Sequence, residues 1–157
     1  MHQMNKKNIE NYIFSLKNSN GGFYLQKNFN QTTLMSSAFS IITLELVDSL
    51  DKIEISKEQN YFLKYQDEKT GFFVDPNLKL DYKKIEDIEL NYIHYQTTAF
   101  SVSALDALGM KPKYDFTFLN SFRGKEKISK FFEKIDWRNP WHESNKIMFL
   151  LQFFSYR

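Results

Sequence analysis

At 157 residues, with 42% apolar and 17% aromatic side chains, the chain is long enough to bury a core and too apolar for disorder. Its 21 basic and 19 acidic residues are interspersed, which excludes the basic stripe that nucleic-acid binding needs. Cysteine is absent, so disulfides, thiolate zinc sites and cysteine nucleophiles are excluded. Met1 to Glu10 is polar and lacks the apolar centre of a signal peptide. Ile147 to Phe154, interrupted by Gln152, falls far short of a membrane span. The expectation is a cytoplasmic protein with no membrane span and no nucleic-acid partner.

The first predicted helix carries Ile9, Tyr12, Ile13 and Leu16 at i, i+3, i+4 and i+7 and stops at Gly21-Gly22. A second, from Ser36-Ser37-Ala38-Phe39 through Leu44 and Leu46, is apolar on most sides, as a helix covered on several faces must be. The pattern then repeats. Asn60-Tyr61-Phe62-Leu63-Lys64-Tyr65-Gln66 leads to Gly71-Phe72-Phe73, as Asn11-Tyr12-Ile13-Phe14-Ser15-Leu16-Lys17 leads to Gly22-Phe23-Tyr24, forty-nine residues earlier. Thr97-Thr98-Ala99-Phe100 through Leu105 and Ala107 matches the helix at Ser36, now sixty-one residues on. The twelve extra residues fall between Asp75 and Asn91, where Asp81, Glu86, Asp87 and Glu89 form an acidic insert. Such a run is a soluble loop or a site for a cation or a basic partner.

The third unit places Ile128, Phe131, Phe132 and Ile135 on one helix face, with Lys125 to Lys134 supplying a mixed-charge solvated face. Asp136-Trp137-Arg138-Asn139-Pro140-Trp141 forms the turn, with Trp141 expected where the earlier units carry Phe23 and Phe72. Ser144 to Tyr156 is the last apolar helix. The chain therefore reads as an all-α domain of about three tandem helical hairpins, spanning roughly 5–50, 54–110 and 114–157. Gly22, Phe23, Gln66, Gly71 and Phe72 are the structural residues of the repeat. Glycine lets the chain reverse, the aromatic fills the gap between hairpins, and Gln66 can bridge backbone groups of adjacent units.

Leu63-x-x-Gln66-x-x-x-x-Gly71-x-Phe73 resembles the glutamine-aromatic repeat of squalene and oxidosqualene cyclases, with Phe73 in the tryptophan position. Leu16-Lys-Asn-Ser-Asn-Gly-Gly-Phe23 is similar to the repeat of protein prenyltransferase β-subunits, and His94-Tyr95-Gln96-Thr97-Thr98-Ala99-Phe100 to their inner helices. The resemblance implies the αα-toroid fold of these enzymes, a ring of hairpins whose inner helices line a central cavity. This chain supplies about half of such a ring. It is then an open arc, one partner of an oligomer, or a piece of a longer protein, with self-association or a partner chain expected at its exposed repeat ends.

The catalytic motifs that the resemblance would bring are absent. There is no Asp-x-Asp-Asp, no Asp-Asp-x-x-Asp and no cysteine for the prenyltransferase zinc, so no metal or cofactor is expected. Two polar sets remain. Trp137, Arg138, Asn139, Trp141, His142, Glu143 and Asn145 surround the only two tryptophans, and aromatic walls beside His, Arg and Asn suit a saccharide or another small molecule. His94, Tyr95 and Gln96 are expected at the corresponding mouth of the second inner helix. His94 and His142 are the candidate general bases, because imidazole titrates near neutrality. Toroidal polysaccharide lyases resemble this set, with His or Tyr taking the proton and Asn or Arg neutralising a uronate. Three readings are open: a toroid-type module lining a small-molecule or saccharide pocket, a carbohydrate lyase or hydrolase with a His base, and a non-catalytic interaction scaffold. If the tryptophan cluster is a ligand rim, Trp141 and His142 must be partly exposed.

Overall fold

The computed structural model describes residues 5–78 and 87–156, the side chains of 87–91 excepted. Within them the chain is all-α, with six α-helices: α1 (Lys6–Ser15), α2 (Leu34–Leu46), α3 (Ile55–Leu63), α4 (Asp87–Ala107), α5 (Lys125–Glu133) and α6 (Pro140–Phe154). Two short 3-10 segments, Leu50–Lys52 and Thr117–Phe122, lead into the second and third hairpins. None of the described helices is long and apolar enough to cross a membrane.

The apolar helices pack side by side, α2 on α4 and α4 on α6, while α1 lies on α2 and α3 on α4. Ile13, Leu16, Phe23, Leu34, Ile41, Leu44, Phe62, Phe73, Val102 and Leu105 form one continuous core through the first two hairpins. A smaller core of Ala99, Leu119, Phe149, Leu150 and Phe153 joins the third. Helix α2 starts because Thr33 caps it: its hydroxyl accepts from the Ser36 amide, and Ser36 answers to the Thr33 amide. Helix α6 starts with Pro140 at its first turn and the Asn139 side chain accepting from the His142 amide.

The first two turns are stitched to the inner helices of their own hairpins in the same way. The Phe23 amide donates to Ser37 Oγ and the Phe73 amide to Thr98 Oγ1, both at 2.9 Å. Isolated antiparallel bridges pair Lys17 with Phe23 and Gln66 with Phe73. These bonds correct the register read from the sequence. Gly21 matches Gly71, Gly22 matches Phe72, and Phe23 matches Phe73, because the second turn holds one extra residue between Gln66 and Gly71. Both matched aromatics, Phe23 and Phe73, are fully buried.

In α2 the small hydroxyl residues stand at the helix start, with Ser36 part of the cap, whereas in α4 Thr97 and Thr98 lie well inside the helix. Helix α4 begins at Asp87, ten residues before Thr97, so the polar insert is partly helix. Asp75 is buried, with its carboxylate accepting from the amides of Leu34 (2.6 Å) and Asn77 (2.9 Å), and so ties the second hairpin to the start of α2. It is a structural acceptor, not a solvated loop residue. Asp81 and Glu86 lie outside the described residues, and only the backbone of Asp87 and Glu89 is described.

Each joint between hairpins is also held by a buried polar side chain of the second hairpin. At the first, buried Glu58 accepts from the Gly22 amide at 2.8 Å, and Lys17 Nζ stands 3.7 Å from its other oxygen. Burial pushes the Glu58 carboxyl above the usual carboxylate range, against the opposing pull of the Gly22 amide and Lys17. At the second, Gln66 donates to the carbonyls of Gly71 (3.1 Å) and Tyr114 (2.8 Å) and accepts from the amides of Lys113 (2.8 Å) and Tyr114 (2.9 Å). Four bonds from one amide fill its hydrogen-bonding capacity and fix the third hairpin on the second.

Candidate functional site

The first two turns of α6 carry Trp141, His142, Glu143, Asn145 and Lys146, and the preceding loop carries Trp137 and Arg138. Trp141 is 77% exposed and Trp137 60% exposed. The earlier turns carry a buried aromatic, so the expectation that Trp141 takes that place is corrected. Asn139-Pro140 starts the helix early and puts Trp141 inside it, on a face that is open to solvent. Asn145 lies one helical turn along the same face.

Glu143 is 5% exposed and Lys146 is buried with it. Lys146 Nζ donates to Glu143 Oε1 at 3.0 Å and to Oε2 at 3.3 Å. His142 Nδ1 lies 3.2 Å from Glu143 Oε1, and its side chain is a quarter exposed. The buried carboxylate is thus shared by a lysine and a histidine on one helix. The tautomer whose Nδ1 donates to Glu143 presents Nε2 as the acceptor of the ring. Tyr92 of α4 stacks on the imidazole, with ring centroids 4.0 Å apart, and its hydroxyl accepts from Asn145 Nδ2 at 3.3 Å. Tyr92, His142 and Asn145 form one surface across the α4–α6 seam, with Glu143 and Lys146 beneath it.

Arg138 makes a two-pronged pair with Asp136, Nε to Oδ1 and Nη2 to Oδ2, both at 2.7 Å. Its hydrogen bonds pull the Asp136 carboxyl down to about 2. The pair lies at the surface, with the Arg138 side chain exposed, and the guanidinium keeps further N–H donors facing solvent.

The second set has a different place. His94 lies two turns inside α4 rather than at a helix mouth, against Phe72 with ring centroids 5.2 Å apart. Burial lowers its pKa, which favours the neutral ring. Tyr95 packs among Phe72, Phe118 and Phe153, and burial raises its pKa. Phe72 itself stacks flat on Phe118, at 4.0 Å and 4°. Phe72, His94 and Tyr95 therefore belong to an aromatic seam between the second and third hairpins. Gln96 is half-buried. Tyr92 and His94 are two residues apart on one helix, about 200° around its axis, so the two histidines face different neighbours.

The sequence pointed to His142, Glu143 and Asn145 and missed Tyr92 and Lys146. Lys146 was visible as an i+3 partner of Glu143. Tyr92 comes from another helix, and no local spacing signals it. The cluster forms a surface rim. Clefts of about 510 Å3, lined by Lys111, Tyr114, Arg123 and Tyr156 among others, and of about 420 Å3, between the first turn and α3, contain none of its residues. No protein family matches the chain, and no curated protein or solved structure shows significant similarity to it.

Proposed function

We propose that the chain is a helical-hairpin module of αα-toroid type that holds a saccharide or similar polyol on the rim formed by Trp141, Trp137, Tyr92, His142 and Asn145. The exposure of Trp141, on the same helix face as Asn145 and next to a preorganised set of hydrogen-bonding groups, carries this reading. An indole face stacks on the C–H face of a sugar ring, while hydroxyls need donors and acceptors in a fixed plane. Tyr92 and Asn145 are held by each other, and His142 is held by Tyr92 and Glu143, so binding orders little that is not already ordered.

The two tryptophans are the only ones in the chain, so fluorescence excited selectively at tryptophan reports on Trp137 and Trp141 alone. Titration with a panel of neutral and uronate oligosaccharides should give a saturable change with at least one of them, and Trp141→Ala should abolish it. His142→Ala should cost about 1 kcal/mol of stability, for the lost stacking, and weaken binding at least tenfold. A flat titration with every sugar of the panel rejects the saccharide reading. A stability loss of about 3 kcal/mol would instead make His142 a structural residue.

The placement of Glu143 on His142 Nδ1 favours a second reading, in which His142 Nε2 acts as the base of a carbohydrate lyase or hydrolase. Turnover of a bound sugar that His142→Ala removes, with binding retained, would select it.

A further inference from the structure

We infer that the cleft of about 510 Å3 between the loop after α4 and the end of α6 binds a phosphate monoester on a hydroxylated ring, the chemistry shared by sugar phosphates and nucleoside monophosphates. Lys111 and Arg123 both line it, and neither makes an ion pair among the described residues. Asp106 feels Lys111 only through space. By contrast, Lys52, Lys57, Lys130, Arg138 and Lys146 each hold a carboxylate oxygen at 3.0 Å or less. Lys127 brings a third cation to the edge of the cleft. Its ammonium stands 3.5 Å from the carbonyl of Asn120, which is also a lining residue.

This charge suits a phosphate monoester, which is close to doubly ionised near neutral pH, better than the single charge of a carboxylate. A guanidinium also matches phosphate oxygens with its planar fork, and an ammonium serves as a point charge beside it. The remaining walls call for a ring. Tyr114, Phe116 and Tyr156 present aromatic surface to the cleft, and Asp115 is the one carboxylate among its lining residues. Asp115 repels a bare anion, yet it gives a ring hydroxyl or amino group an acceptor. The cleft is thus built for a ligand with two chemically different ends.

Its walls are already fixed. Gln66 holds Tyr114 by both its amide and its carbonyl. Phe116 packs on Phe118 and Phe153, with ring centroids 5.7 and 5.3 Å away. Thr117, another lining residue, donates its hydroxyl to the Lys69 carbonyl at 2.5 Å. Only the long Lys111 and Arg123 side chains have to be ordered by a ligand, which keeps the entropic cost of binding low. The volume lies within the ordinary range for small-molecule sites. Because no rim residue lines this cleft, its occupancy is independent of the saccharide reading.

Isothermal titration calorimetry of the full chain with AMP, glucose 6-phosphate and inorganic phosphate tests this. At least one of the two esters should bind saturably, and at least roughly tenfold more tightly than inorganic phosphate. Binding of AMP alone assigns the ring to a nucleoside, and binding of glucose 6-phosphate alone to a sugar. Arg123→Gln and Lys111→Gln should each weaken the ester by about tenfold or more, while Trp141→Ala leaves it unchanged. Asp115→Asn should raise the affinity for inorganic phosphate and so narrow the gap between the two. Lys111, Asp115 and Arg123 are all exposed, so circular dichroism should show unchanged helicity in every variant. Failure of both esters to bind overturns the inference. So does an ester that binds no better than inorganic phosphate, or one whose affinity survives both Arg123→Gln and Lys111→Gln.

Discussion

Gly71→Val is expected to leave no folded protein, at a cost on the order of 4 kcal/mol or more. Gly71 has φ of +81°, where a β-branched residue is strained whatever the space around it. Space is lacking too, since a Cβ would run into the carbonyl of Asp115. That carbonyl belongs to backbone that cannot easily retreat, because Gln66 holds the neighbouring Lys113 and Tyr114 in place. Gly109→Ala separates the two effects. Its φ is +70°, and a Cβ there meets nothing within 4 Å, so only the conformational cost of about 1 kcal/mol should appear. Urea denaturation with size-exclusion chromatography distinguishes them. A Gly71→Val protein that unfolds near the wild-type midpoint would show that the close approach of the hairpins is wrong.

The second large effect is expected at Glu58. Glu58→Ala empties a fully buried site and leaves the Gly22 amide without its acceptor, at about 3 kcal/mol. Glu58→Gln keeps an acceptor for Gly22 and removes the charge. Because the folded-state pKa of Glu58 is raised, its contribution to stability is full below the unfolded carboxylate pKa of about 4.3. It is lost as pH rises through the folded value. In urea melts at a series of pH values, the stability of Glu58→Gln relative to the wild type should therefore improve as pH rises above about 4.3. Burial raises the Asp75 carboxyl as well, but Asp75 is present in both proteins and drops out of the comparison. Should the difference run the other way, Lys17 and the Gly22 amide outweigh burial, and the charge holds the joint together.

The periodicity of Ile9, Tyr12, Ile13 and Leu16, and of its two echoes, was enough to read the outer helices, although α5 buries none of its apolar residues. The exact register of the second turn was not legible. One glycine looks like another in sequence, and the equivalence is set by Phe23 and Phe73 bonding to Ser37 and Thr98. The early start of α4 was hidden because Asp87, Glu89 and Asn91 read as loop, while Tyr92, Tyr95 and Ala99 already follow the helical spacing that faces α6. Glu58 was invisible for a different reason. It occupies the helical position where α1 has Ile9, and only the neighbouring hairpin shows why a carboxylate is buried there. At the rim, residues adjacent in sequence were found together, and Tyr92, which joins them from another helix, was not.

The two cores also differ in how much chain they hold. The first two hairpins share one apolar interior, whereas the third rests on a smaller one, and its outer helix contributes no buried side chain. A local opening that frees α5 gives up little apolar burial, so its amides can exchange with solvent while α2 and α4 stay protected. Protection along this chain should be graded rather than uniform, with the loosest cooperative unit at its C-terminal end. The surface most exposed to chance partners is therefore also the one whose folding a partner can most strongly reinforce.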